Sequence, residues 1–167
     1  DTTPWQSKQA FTRQDLLEWL GDQAPVLEAL WKAKAELDFL EVYTGDAEAS
    51  RAVEQRGGTA IRLGLRWGQD FSRPRDRALS FYLLQQIPVR HMWGSFPCTA
   101  FCAWVALNLS KGCDLTNRIK EGKVYLKHIT EMAAYQRTHG RKAHLENPLV
   151  SAAWRTNPMT QELRQQG

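Results

Sequence analysis

The chain has few cysteines and no long apolar run, and each lack excludes a class of protein. The chain has three cysteines, Cys98, Cys102 and Cys113. This number is lower than in small disulfide-rich secreted proteins, and because it is odd the cysteines cannot all pair with one another. The longest uncharged stretch, residues 91–110, contains Gly94 and several polar groups, unlike the roughly 20 apolar residues of a membrane span. We therefore expect free thiols, a reducing intracellular compartment and no membrane span. The sequence does not distinguish nucleus from cytoplasm.

Charge is unevenly distributed along the 167 residues. The first 50 residues hold 4 of the 22 Lys and Arg and 10 of the 18 Asp and Glu, so the remainder is basic. Basic side chains along one groove are typical of proteins that neutralise phosphates, although they are also typical of solvated helix faces. The candidates for contact with nucleic acid are Arg73, Arg75, Arg77, Lys120 and Lys123.

Hydrophobic spacing predicts alternating strands and helices within one domain. Thr12 followed by Asp15 is typical of a helix start, and the segment from Gly21 to Pro25 is expected to separate two helices. Strands are predicted at 37–43, 59–63, 89–95 and 142–146, and helices at 47–55, 75–86, 100–109 and 120–139. This order predicts an α/β, Rossmann-like three-layer domain with a mostly parallel sheet over residues 36–160. An N-terminal helical extension, residues 1–35, precedes it.

Three short segments follow predicted strands: Tyr43-Thr44-Gly45-Asp46-Ala47, Phe96-Pro97-Cys98 and Glu146-Asn147-Pro148. Each segment alone is typical of an ordinary turn. Because ligands gather at the carboxyl ends of parallel strands, we expect the three segments to meet at one edge of the sheet.

The order of these segments resembles that of the cytosine-C5 methyltransferase family, which has a phenylalanine-x-Gly-x-Gly loop, a Pro-Pro-Cys loop and a Glu-Asn-Val segment. The resemblance covers residues 37–150. Methyltransferase-like modules of some retroelement polyproteins are also similar, through Trp93-x-Ser95-x-Pro97-Cys98 and Glu146-x-Pro148.

The resemblance implies specific roles for these residues. Cys98 is the nucleophile that adds to C6 of cytosine, and Glu146 holds the adjacent ring nitrogen. A helix beginning just after Pro97 is expected to favour the thiolate form of Cys98. DNA is the implied substrate, with its target base flipped out of the duplex or offered single-stranded. The implied cofactor is S-adenosylmethionine, bound by Tyr43, Gly45, Ala47, Asp70 and Pro97.

Some features depart from the family. The family has an acidic residue after the second strand that binds the ribose of the cofactor, and this chain has Arg62 there. Glu41 or Asp46 could bind the ribose instead. The family's Gln-x-Arg-x-Arg segment and target-recognition domain are not found after Glu146. The prediction is therefore a methyltransferase-like domain that is truncated, degenerate or dependent on a protein partner for target recognition. Whether it is an active enzyme stays open. Methylation of an adenine amino group is a variant that the pairing of Cys98 with Glu146 disfavours.

A non-catalytic structural or binding subunit is the alternative, in which the fold is a scaffold for a protein or nucleic-acid partner. Seven tryptophans favour it, because aromatic residues anchor interfaces. Trp5 is the predicted contact residue, whereas Trp93 and Trp104 are predicted in the core. A zinc site built from the cysteines and one histidine lacks the paired C-x2-C spacing, so no metal is expected.

Overall fold

The structure is a computed structural model that describes residues 10–165, so Trp5 lies outside the described residues. The helices are α1 (Arg13–Leu20), α2 (Ala24–Ala33), α3 (Glu48–Gln55), α4 (Pro74–Gln86), α5 (Ala103–Ser110), α6 (Thr116–Thr138) and α7 (Met159–Gln165). The strands are β1 (Leu37–Val42), β2 (Ala60–Leu63), β3 (Val89–Gly94) and β4 (Lys142–Leu145). Short 3-10 turns span Gly21–Gln23, Leu65–Trp67 and Ala152–Arg155.

The four strands form one parallel sheet in the order β2-β1-β3-β4. This confirms the predicted α/β, Rossmann-like fold. The chain leaves β1 for β2 on one side and then crosses to β3 on the other side. The connections therefore diverge between the carboxyl ends of β1 and β3, where open α/β sheets hold their ligands.

One face of the sheet is covered by α4 and α6. Leu40, Val42 and Met92 point into this layer and are fully buried. Gly94 lies directly under α6, since a Cβ on Gly94 would be 2.6 Å from the Cδ1 atom of Ile129. Helices α1 and α2 contribute four leucines to the same core, namely Leu16, Leu20, Leu27 and Leu30.

The opposite face carries α3, which packs on β1 and β2. Ser50 of α3 donates both its backbone N–H and its hydroxyl to Glu41 of β1, which fixes this packing. Beyond α3, the side chains of His91, Trp93 and His144 remain partly or fully exposed on β3 and β4. Parallel sheets normally bury both faces, so this half of the sheet is unusual.

Most predicted elements are confirmed, including the capping box of Thr12 and Asp15 at the start of α1. The prediction of a helix from residue 100 is wrong at its start, because residues 98–102 form a turn closed by a hydrogen bond from Phe101 N–H to the Cys98 carbonyl. Helix α7 and the preceding 3-10 turn were not predicted.

The core prediction for Trp104 is wrong, because 68% of its surface is exposed on α5. Trp93 is partly buried, and the three cysteines are free thiols. Among residues 10–165, no helix is both long enough and apolar enough to cross a membrane.

Candidate functional site

A cleft of about 250 Å³ opens at the carboxyl edge of the sheet, beside the ends of β1, β2 and β3. Four of the five residues predicted to bind a cofactor line it: Tyr43, Gly45, Asp70 and Pro97. Ala47, the fifth, is 1% exposed at the start of α3 and does not line the cleft. The other lining residues are Thr44, Gly64, Leu65, Arg66, Gln69, Phe71 and Tyr125.

Tyr43 forms the inner wall of the cleft. Its φ of 63° lies in the left-handed region, which is uncommon for a bulky residue, so the chain turns sharply where β1 ends. The Tyr43 ring packs 4.8 Å from the Phe71 ring and 5.5 Å from the Tyr125 ring, measured between centroids. Burial raises the pKa of Tyr43 well above its usual value, so the hydroxyl stays protonated.

Behind this wall, His128 of α6 lies 2.8 Å through Nδ1 from the Tyr43 hydroxyl and 2.7 Å through Nε2 from the Ser80 hydroxyl. Ser80 donates its only hydroxyl proton to the Arg77 carbonyl at 2.6 Å, so it accepts from His128. The neutral Nε2–H form of His128 follows, with Nδ1 accepting from Tyr43. Burial lowers the pKa of His128 to about 3, which agrees with a neutral ring.

Asp70 places a carboxylate on the outer wall. Its Oδ1 accepts from the hydroxyl of Ser72 at 2.7 Å and from the Ser72 N–H at 3.0 Å, and these bonds lower the pKa of Asp70. The backbone N–H of Asp70 donates to buried Asp76, which also accepts from the Trp19 indole. The N-terminal helices therefore help to fix this wall of the cleft.

Glu41 and Asp46, the two acidic residues considered for binding a cofactor ribose, both already interact with other side chains. Glu41 is 6% exposed, and its two carboxylate oxygens accept hydrogen bonds from Thr44 and Ser50. Asp46 is exposed and pairs with Arg66 at the mouth of the cleft. Glu41 is thus an anchor for the turn after β1, and Arg66 brings a positive charge to the cleft.

Cys98 and Glu146 lie at neighbouring strand ends but outside the cleft lining. Cys98 is partly buried in the turn before α5, whereas Glu146 is exposed and donates its backbone N–H to the Gly94 carbonyl at 2.8 Å. The expected helix directly after Pro97 is absent, since Cys102 occupies the N-cap position of α5. The prediction that a helix start after Pro97 favours the thiolate form of Cys98 is therefore wrong.

Of the five basic residues predicted to contact nucleic acid, four are exposed and one holds a loop of the cleft. Arg75, Lys120 and Lys123 are exposed. Arg73 is exposed but lies 3.4 Å from the Asp70 carboxylate. Arg77 donates to the carbonyls of Phe71 and Ser72, so it holds the loop that forms one wall of the cleft.

Sequence reasoning missed His128, Ser80 and Tyr125. Their contribution depends on the packing of α4 against α6 and on the turn at Tyr43, which bring together residues 85 positions apart. The weak signal available was a histidine on the apolar side of α6, which is also typical of a core residue.

Among the described residues, no three His, Cys, Asp or Glu side chains are grouped so that they could hold a metal ion. No protein-family model, curated protein or solved structure matches the chain. The functional assignment therefore depends on the residues and the geometry described above.

Proposed function

We propose that the chain is an S-adenosylmethionine-binding, methyltransferase-like domain that depends on a partner for target recognition. The observation that carries this proposal is the convergence of Tyr43, Gly45, Asp70 and Pro97 on one cleft. The sequence resemblance implies these positions for the cofactor, and the tendency of open α/β sheets to bind ligands at this edge supports the proposal.

The lining of the cleft fits a nucleoside with a charged tail. Tyr43, Phe71 and Tyr125 offer ring surfaces, and Asp70 offers oxygens that accept from hydroxyl or amino groups. Apart from the adjoining residues, no heavy atom lies within 4 Å of a Cβ placed on Gly45, so a ligand can approach the backbone there. Small-molecule sites usually measure about 300–1,000 Å³, so this smaller cleft suits the nucleoside part, with the tail outside it.

The bound cofactor would supply a methyl group, and the chain would contribute Cys98 and Glu146 towards the acceptor base. Their positions next to the cleft, rather than in its wall, agree with a degenerate or partner-dependent domain. The exposed Arg75, Lys120 and Lys123 are the candidate contacts for DNA phosphates.

Calorimetry with S-adenosylmethionine and S-adenosylhomocysteine tests the proposal. We expect binding to the wild-type chain and at least tenfold weaker binding to Gly45→Val, whose side chain projects into the approach to the backbone. Ala52→Val on exposed α3 is the matched control and should bind as the wild type does. Absence of heat with both ligands in the folded protein would rule out the cofactor site.

Catalysis needs a separate test. In the presence of S-adenosylmethionine, DNA containing 5-fluorocytosine traps the methylated covalent adduct of a cytosine-C5 methyltransferase, because fluorine at C5 blocks the elimination that releases the enzyme. An active domain should form an adduct that Cys98→Ala abolishes and Cys113→Ala preserves. Cofactor binding without an adduct supports the degenerate form of the domain.

A non-catalytic binding subunit is the second candidate, and α5 favours it. This helix contains no charged residue, and Trp104, Leu107 and Leu109 are respectively 68%, 41% and 47% exposed. Exposed apolar groups of this kind are typical of interaction surfaces. A scaffold would retain partner binding in Cys98→Ala and lose it in Trp104→Ser.

A further inference from the structure

His91 of β3 and His144 of β4 face each other on the exposed half of the sheet. The register pairs His91 with Lys142 and Trp93 with His144, so the two histidines are diagonal neighbours on one face. Their nearest ring nitrogens, Nδ1 of His91 and Nε2 of His144, are 3.1 Å apart. The ring planes differ by 15°, and the Trp93 indole stacks on His144 with centroids 6.1 Å apart.

We propose that His91 and His144 form a two-histidine site for a divalent transition-metal ion, separate from the cleft. Imidazole nitrogens suit Zn²⁺, Cu²⁺ and Ni²⁺. The two nitrogens already lie in contact on adjacent strands of a rigid sheet, so little chain entropy is lost when both bind one ion. Water or a donor from a partner completes the coordination.

The distance between the nitrogens fits chelation. Metal–nitrogen bonds of about 2.0–2.1 Å to two nitrogens 3.1 Å apart subtend about 100° at the metal. This angle lies between the values for octahedral and tetrahedral geometry. The two nitrogens now share a hydrogen bond, so one of them carries a proton. Binding breaks this bond: the proton moves to the other nitrogen of its ring, and each ring turns so that both lone pairs point at the ion. The exposure of this face leaves room for that turn.

The surroundings set the expected affinity. Lys142 of β4 is the register partner of His91, so it lies on the same face of the sheet as the two histidines. The positive charge of Lys142 opposes a bound cation. We therefore expect micromolar rather than nanomolar binding.

Titration of the full chain with Ni²⁺ tests the proposal. Calorimetry should give one site, and His91→Gln and His144→Gln should each weaken binding at least tenfold. His139→Gln is the matched control, because His139 is an exposed histidine that contacts Tyr135 rather than another imidazole. Circular dichroism verifies that all variants are folded.

Paramagnetic broadening by Ni²⁺ in NMR spectra supplies a second readout. Signals of the His91 and His144 rings and of the Trp93 indole N–H should broaden first. The proposal is overturned if Ni²⁺ gives no heat at millimolar concentration, if neither substitution alters its affinity, or if broadening centres on the cysteines or His139.

Discussion

Asn147 donates a hydrogen bond from Nδ2 to the carbonyl oxygen of Phe96 at 2.9 Å, within the buried junction between β3 and β4. This bond joins the two loops whose sequences carry the strongest part of the resemblance. Glu146 precedes Asn147 and Cys98 follows Phe96 by two residues, so the bond fixes how these two side chains lie relative to each other.

Asn147→Ala should therefore destabilise the protein and loosen the Cys98 turn. Loss of the bond leaves the Phe96 carbonyl without this donor and should cost about 1–2 kcal/mol in urea unfolding. Alkylation of Cys98 should become faster in the folded protein. Asn117→Ala, on the exposed first turn of α6, is the control and should change neither quantity. Equal alkylation rates in all three proteins would contradict a positioning role for Asn147.

Gly64 and Gly45 both line the cleft but should respond differently to alanine. A Cβ on Gly64 would lie 2.6 Å from the backbone oxygen of Thr44, whereas a Cβ on Gly45 would meet no atom within 4 Å apart from those of the adjoining residues. Gly64→Ala should lower the free energy of unfolding by about 1–3 kcal/mol because backbone must shift. Gly45→Ala should change it by less than about 0.5 kcal/mol. Thermal and urea unfolding of the two variants compare these costs directly, and equal costs would contradict the geometry of the cleft wall.

The fold could be predicted because its signals are local. Short strand-forming segments at 37–42 and 89–94, with helical spacing between them, indicate a parallel sheet, and Thr12 with Asp15 marks the first helix. Four of the five positions predicted for a cofactor line one cleft, because the carboxyl ends of parallel strands lie along the same edge of the sheet. The site's polar interior could not be predicted, since His128 reaches Tyr43 only through the packing of α6. The exposure of Trp104 also lacks a local signal, because an apolar helix is expected to be buried.

Trp104→Ser should leave the free energy of unfolding almost unchanged, in contrast to a substitution of the partly buried Trp31. Trp104 is largely exposed, so its removal should alter the free energy of unfolding by less than about 0.5 kcal/mol. Trp31→Phe should cost about 1 kcal/mol, because the Trp31 indole donates to the Gln86 carbonyl and stacks under Arg13. Urea denaturation of both variants distinguishes an interaction helix from a core helix. A loss above about 2 kcal/mol in Trp104→Ser would assign α5 to the core instead.

The buried His128 should make the protein lose stability in mild acid. In the unfolded chain a histidine has a pKa near 6.5, whereas His128 in the folded protein has a pKa of about 3. Below pH 6.5 the unfolded chain therefore binds a proton that the folded chain excludes. The stability that neutral His128 provides is complete above pH 6.5 and is lost progressively as the pH falls towards 3.

The matched variant for this test is His128→Gln, since a glutamine can accept from Tyr43 and donate to Ser80 without titrating. Between pH 6.5 and pH 4.5 the wild type should lose about 2 kcal/mol more than this variant in urea unfolding. The window stays above pH 4.5 because Asp38 and Asp70, whose pKa values are lowered, lose their own contributions in stronger acid. His139→Gln should retain the wild-type pH dependence. If the wild type and His128→Gln follow parallel curves over this window, His128 takes up a proton as readily in the folded protein as in the unfolded chain, and Nδ1 must then donate to the Tyr43 hydroxyl instead of accepting from it.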